Sequence, residues 1–210
     1  DWLQSELGWR VAVRVLACVT GLAFLTAAAV LPATEAVAPT ARPSVRQVLA
    51  STVSAPAPRL FTIAVGFGGL AMSTMLVFQV PVMTAAGLGS ATAASMAGLR
   101  GFCQLGGRIP LSPLVNWLGR DRALILAFAA MTIGGVLLSA AGNMPVAVAF
   151  AIVAGFGIGA FSPLQGMKGE ELFERDQLGA TMGVYGAVLL LVGSPGPIIG
   201  GVILERTGEA

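Results

Sequence analysis

The chain has 210 residues, of which 56% are hydrophobic and only 10% charged, with a formal net charge of +2. Soluble domains carry about 25% charged residues, so there is too little charge here to cover a water-facing surface, and no basic run of the kind that binds nucleic acid. Histidine is absent and cysteine occurs twice, at Cys18 and Cys103, which excludes a zinc centre or a histidine proton relay built from this chain; each cysteine falls in an apolar run and reads as a small buried hydrophobe.

In chain order, Trp9–Leu31 is the first long apolar run, and a bilayer core needs about 20 apolar residues of helix. Arg10 and Arg14 stand at its start, where they can reach the interface. The next stretch, 32–58, holds five prolines (32, 39, 43, 56 and 58) and reads as a linker. Val45, Val48 and Leu49 within it fit one face of a short amphipathic helix. Leu60–Thr84 is the second spanning candidate, with Gly66, Gly69 and Ser73 on one small-residue face. Ala85–Gly89 is a tight turn.

The third segment, Ser90–Gly107, carries Arg100, Gln104 and Arg108 four residues apart, so that on a helix they make one polar stripe. Ile109–Arg122 reads as a loop. The fourth segment, Ala123–Ala141, is apolar all round and suits a lipid-facing or peripheral position. A turn at 142–145 leads to the fifth, Val146–Leu164. A charged loop, Gln165–Gln177, leads to the sixth, Leu178–Leu204. The run Ser194–Pro197 should bend or break that last segment.

Six crossings make the loops alternate in side. Eight Lys/Arg then fall on one side (Arg42, Arg46, Arg59, Arg108, Arg120, Arg122, Lys168, Arg175) and three on the other (Arg10, Arg14, Arg206). The positive-inside rule assigns the richer side to the cytoplasm. Arg100 alone stays inside a span.

An internal repeat accompanies this pattern. Gly66, Phe67, Gly68, Ala71 and Ser73 recur at a constant offset of 89 as Gly155, Phe156, Gly157, Ala160 and Ser162. The same offset pairs Ala91 and Thr92 with Ala180 and Thr181, and Gly107 with Gly196. A unit of three helices gives copies of opposite topology, the inverted repeat of many secondary transporters. The fourth segment has its counterpart beyond residue 210, and the first residue is Asp rather than Met. The chain therefore reads as a piece of a longer protein that lacks the last helix of its second triplet.

These residues resemble the major facilitator superfamily of transporters. Leu7–Arg10 (LGWR) is similar to the motif between that family's fifth and sixth helices. The Pro-rich stretch resembles the connection between its two six-helix halves. Gly107, Arg108, Leu118, Gly119 and Arg120 look like its loop between helices eight and nine. Gly196, Pro197, Gly200 and Gly201, followed by Glu205–Gly208, resemble its eleventh helix. The resemblance implies an all-α, polytopic membrane helix bundle with inverted three-helix repeats, truncated, spanning helices six to eleven of twelve. Residues 1–31 would be the last helix of the N-terminal half, 32–58 the cytoplasmic linker, and 59–210 the C-terminal half without its final helix. The expected setting is the cell (inner) membrane, and the expected partners are a small-molecule substrate, the lipid bilayer and the missing N-terminal half. No cofactor, metal or nucleic acid is implied. One departure is Asn116, which occupies the position of the family's loop acid three residues before Gly119.

Arginine at the centre of a spanning helix costs about 2.5–3.5 kcal/mol on insertion scales, so Arg100 needs a partner or a wet cavity. One reading is binding of an anionic or carbonyl-bearing substrate beside Gln104; the other is a structural arginine capping carbonyls of a neighbouring helix. Gln79, Gln165, Thr181 and Tyr185 are further candidates for substrate contact, or else for interhelical hydrogen bonds. Arg108, Asn116, Gly119 and Arg120 are the candidates for the cytoplasmic loop and gate. The glycine clusters at 66, 68, 69 and at 155, 157, 159 read as packing surfaces. No Walker-type phosphate loop is present, which argues against ATP-driven transport. No Asp or Glu lies inside a span, so ion coupling belongs to another part of the protein, or the carrier is a uniporter or exchanger. Transport of a small solute by alternating access, as import or as efflux, is the expected function. A non-transporting scaffold or sensor with the same fold is the alternative, and an enzyme is not expected.

Overall fold

The computed structural model describes residues 2–30, 45–173 and 175–207. The Pro-rich residues 31–44, including Arg42, and Gly208 of the last motif lie outside the described residues. The chain divides into two units, Asp1–Arg42 and Pro43–Ala210. The first contributes one helix, α1 (Trp2–Val30), of 29 residues. Its apolar stretch Val13–Ala27 is shorter than the run expected over Trp9–Leu31.

The second unit is helical throughout its described residues: α2 (Val45–Ser54), α3 (Pro56–Ala85), α4 (Ser90–Arg108), α5 (Leu111–Leu118), α6 (Arg120–Ser139), α7 (Met144–Leu172), α8 (Arg175–Gly193) and α9 (Pro195–Thr207). Four stretches are long and apolar enough to cross a membrane: α3, α6, α7, and Leu178–Val202 running through α8 and α9. α4 has 19 residues, about 28 Å of helix, but its arginines and Gln104 keep it less apolar than those four.

Several boundaries differ from expectation. The linker contains α2, whose inward face is Val48 and Thr52 while Leu49 is half exposed. The stretch Ile109–Arg122 is no open loop. Pro110 precedes α5, and Pro113 lies in its first turn, where a missing N–H costs nothing. α6 starts at Arg120 because Gly119 turns the chain in one residue, with φ +83° and ψ 159°. That region is essentially closed to residues with a Cβ. α7 runs on to Leu172 through Pro163, so most of the charged stretch 165–177 is helical. The sixth segment breaks at Ser194, as its prolines require.

Three interfaces hold the second unit together, and glycine makes each of them. Along α4 and α7, a Cβ on Gly155 would stand 2.6 Å from Arg100 O, and one on Gly159 would overlap the Gln104 backbone. Gly107 of α4 lies equally close to Phe156 and Ala160. Residue numbers rise together on both helices, so α4 runs parallel to α7 and accompanies it through the same thickness. α3 meets α8 and α9 in the same way. Gly69 abuts Leu189 O, Gly196 abuts Leu70 O and Thr74, and Ser73 Oγ donates to Gly193 O at 2.6 Å. The offset of 89 that pairs Gly107 with Gly196 thus pairs two packing seams. α6 lies antiparallel on α7, with Gly157 against Ala127, Ala130 and Met131, and Gly134 against Ala154. Both predicted glycine clusters are packing surfaces.

The principal core joins Phe61, Val65 and Met83 of α3, Met96 of α4, Met131 of α6, Phe150 and Phe161 of α7 and Tyr185 of α8. α6 buries Ala123, Ala127, Ala130, Met131, Gly134 and Leu138 and leaves Ile125, Ile133 and Val136 exposed. Both cysteines are free. Cys103 is half-buried against Gly155, while Cys18 is exposed and not the buried hydrophobe expected.

Candidate functional site

Arg100 is the eleventh of the 19 residues of α4, so about 15 Å of helix lies on one side of it and 12 Å on the other. The residue is only 7% exposed. Nε donates to Gln79 Oε1 at 2.7 Å, across to α3. Gln79 is buried too, and its own Nε2 donates to Leu76 O at 3.0 Å, which turns the carbonyl end toward the guanidinium. Arg100 Nη1 is buried and has no hydrogen-bond partner among the described residues. A charged group with a buried, idle donor in an apolar interior is costly. Every Asp and Glu with a described side chain in this unit sits near a helix end: Asp121, Glu170, Glu171 and Glu205. The guanidinium therefore meets a neutral amide where a carboxylate would balance its charge.

The other predicted residues are spread out. Gln104 is half-buried, one turn on from Arg100, with its backbone beneath Gly159. Gln165 is half-buried on α7, ten residues past Gly155, which is about 15 Å along the helix. Thr181 and Tyr185 do share a face of α8, and both are fully buried. Tyr185 stacks edge-on against Phe61 at 5.2 Å and against Phe173 at 5.8 Å. Phe61 and Gln79 are 18 residues apart on α3, about 27 Å, so this aromatic cluster and the Arg100 pair occupy different depths. Thr181 Oγ1 and Tyr185 Oη have no hydrogen-bond partner among the described residues. Tyr185 Oη faces Thr62, whose hydroxyl already donates to Pro58 O at 2.8 Å.

At the other end of α4, Arg108 is exposed in the last turn. A cavity of about 480 Å³ lies between it, Leu111, Ser112, Ser162 and Met167. Asn116 and Arg120 are exposed. A charged cluster joins the start of α6 to the end of α7. Lys168 Nζ lies 2.7 Å from Asp121 and 3.1 Å from Glu171, and Arg120 Nη1 donates to Met167 O at 3.4 Å. Lys168 and Asp121 were not singled out in the sequence. The signal was there in the Arg-Asp-Arg and Lys-Gly-Glu-Glu runs, which begin one helix and end the next, antiparallel one.

No curated protein and no solved structure matches this chain. The model of the Major Facilitator Superfamily matches residues 2–197. With that match over nearly its whole length, an all-helical bundle and a repeated pair of glycine seams, the chain belongs to the Major Facilitator Superfamily, a family of multi-pass membrane transporters.

Proposed function

We propose that this chain is part of a secondary active or facilitative carrier that moves a small solute by alternating access, and that Arg100 with Gln79 lines the solute's path. The observation that carries this reading is a guanidinium at mid-helix, buried, held by one neutral hydrogen bond and with Nη1 idle. Intramembrane charges are rare and by default functional, and carrier sites lie near the bilayer midplane. Gln104 is the neighbouring hydrogen-bonding group. Thr181, Tyr185 and Gln165, at other depths, serve as contacts in a second state of the carrier or as interhelical supports. Arg108, Asn116, Gly119 and Arg120 belong to the cytoplasmic face.

In this reading residues 1–31 end a preceding half, 32–58 cross to the second half on the cytoplasmic side, and 59–210 form the second half short of its final helix. Coverage of the helices supports the last point. The apolar window of α7 is 56% buried and that of α3, its repeat mate, only 33%. A groove of about 850 Å³ runs along α3 between α6 and Gly200 of α9, lined by Phe67, Ala71, Met75 and Phe128 among others. An apolar helix standing to α3 as α6 stands to α7 would fill it.

The test is Arg100→Ala in the intact carrier. Solute flux in proteoliposomes should fall at least about tenfold, equivalent to 1.4 kcal/mol, while the amount of protein inserted in the membrane changes little. Flux equal to wild type would remove Arg100 from the path.

A further inference from the structure

We infer that Arg100 receives the carboxylate of a small, singly charged organic anion, through the part of its guanidinium that Gln79 leaves free. This rests on the transport reading above and adds the substrate class to it.

Three observations lead there. The first is charge. Arg100 is 7% exposed and no Asp or Glu occurs between residues 36 and 120, or between 122 and 169. Gln79 brings a dipole to the guanidinium but no countercharge, so a neutral carbonyl solute would leave the cation as uncompensated as before. An anion balances it.

The second is geometry. The guanidinium is a planar fork, and a carboxylate matches two of its N–H groups at once. Gln79 Oε1 occupies Nε at 2.7 Å and is held in that orientation by the bond from Gln79 Nε2 to Leu76 O. The terminal nitrogens are left, and Nη1 is buried without a partner. The amide thus steers an incoming carboxylate to the end of the fork.

The third is the count of cations. The next one along α4 is Arg108, eight residues away and exposed, about 12 Å further along the helix axis. No lysine lies between Asp1 and Gly166. One fixed positive charge suits one negative charge. A phosphate dianion or a dicarboxylate would bring more charge into the span than Arg100 can balance.

The same carboxylate chemistry could come from an acidic side chain elsewhere in the full protein, and the experiment separates the two sources. The full-length carrier, purified in detergent micelles, is titrated with radiolabelled acetate, lactate and benzoate, and with acetamide, lactamide and benzamide. At least one acid should bind about tenfold or more tightly than its own amide. Arg100→Gln should abolish that binding, and Arg100→Lys, which keeps the charge but loses the fork, should weaken it about tenfold or more. Gln79→Glu places a permanent carboxylate against the guanidinium; it should abolish binding of the acid and raise the melting temperature. Should Arg100→Gln fail to fold, Gln79→Glu decides alone.

Equal binding of acid and amide overturns the assignment. So does binding that survives Gln79→Glu. Failure of all three acids to bind overturns it in favour of an internal acidic partner. Flux of a neutral solute that Arg100→Gln leaves intact would overturn the anion and take Arg100 out of the path, while the chain's place in a carrier stands. An acid that binds at Arg100 and is never moved across proteoliposomes would sink the transport reading instead.

Discussion

Gly119 links two helices with a single residue. Its N–H donates to Val115 O at 2.8 Å and its carbonyl accepts from Ala123 N–H at 3.1 Å, so it closes α5 and opens α6 together. At φ +83° and ψ 159° a Cβ would be strained whatever the space around it. Gly119→Ala should therefore destabilise the protein by about 1–3 kcal/mol, seen as a lower melting temperature of the purified carrier. Unchanged melting would mean that the turn tolerates another conformation. The residue-level reading of the sequence was strongest where one atom type decides the outcome. Arg100 stood out because an arginine in an apolar helix is expensive, and Gln79 was already among the polar candidates. Their pairing was not legible, because nothing in spacing shows which of several amides on neighbouring helices will reach one guanidinium. The Lys168–Asp121 pair stayed hidden for a related reason. Both residues were assigned to loops, and only the start of α6 three residues earlier and the run of α7 on to Leu172 make them neighbours.

Glycine spacing decides which helices touch. Gly155 and Gly159, one turn apart, let the backbone of α7 rest on Arg100, Cys103 and Gln104, and Gly107 returns the approach from α4. The nearest atoms a methyl group would meet at these glycines are backbone atoms and the Cβ of Cys103, none of them the far end of a flexible side chain. Gly159→Ala should cost about 1–3 kcal/mol by overpacking, read from thermal unfolding in micelles. Gly101→Ala, at a position with nothing within 4 Å, should cost nothing or add slightly to stability. An equal loss at both positions would refute the seam. The small-residue faces were visible in the sequence, since Gly and Ser recur at helical spacing on apolar runs. Their partners were not. The offset of 89 related α3 to α7 but was silent on whether α7 meets α4, α6 or both. Element ends went wrong where proline and charge were read as loop. Membrane helices carry proline internally because neighbours and local backbone adjustments take up the freed groups, and α7 continues through Pro163 and a charged turn to Leu172.

For the whole molecule, direction of insertion is the property that charge alone suggested. The turn at Ala86 and the cavity at Ser112 fall on opposite faces if the Arg-rich side is cytoplasmic. After Cys18 and Cys103 are replaced by alanine, an impermeant maleimide applied to intact cells should label a cysteine at Ala86 and spare one at Ser112. The reverse pattern would invert the topology. The class of fold was legible because low charge, long apolar runs and a repeat of three helices all pointed the same way. Coverage was not, since only coordinates show that α3 is less enclosed than α7. The backbone-on-backbone seam between α4 and α7 has a mechanical meaning as well. Side-chain contacts yield by changing rotamer, but at these glycines the nearest atoms are backbone atoms and one Cβ, which no rotamer moves. Any shift that reorients the helix bearing Arg100 must drag α7 with it, and the Lys168–Asp121 link couples α6 to the same stroke. This close-packed joint thus lies directly behind the one charge buried in the apolar interior among the described residues.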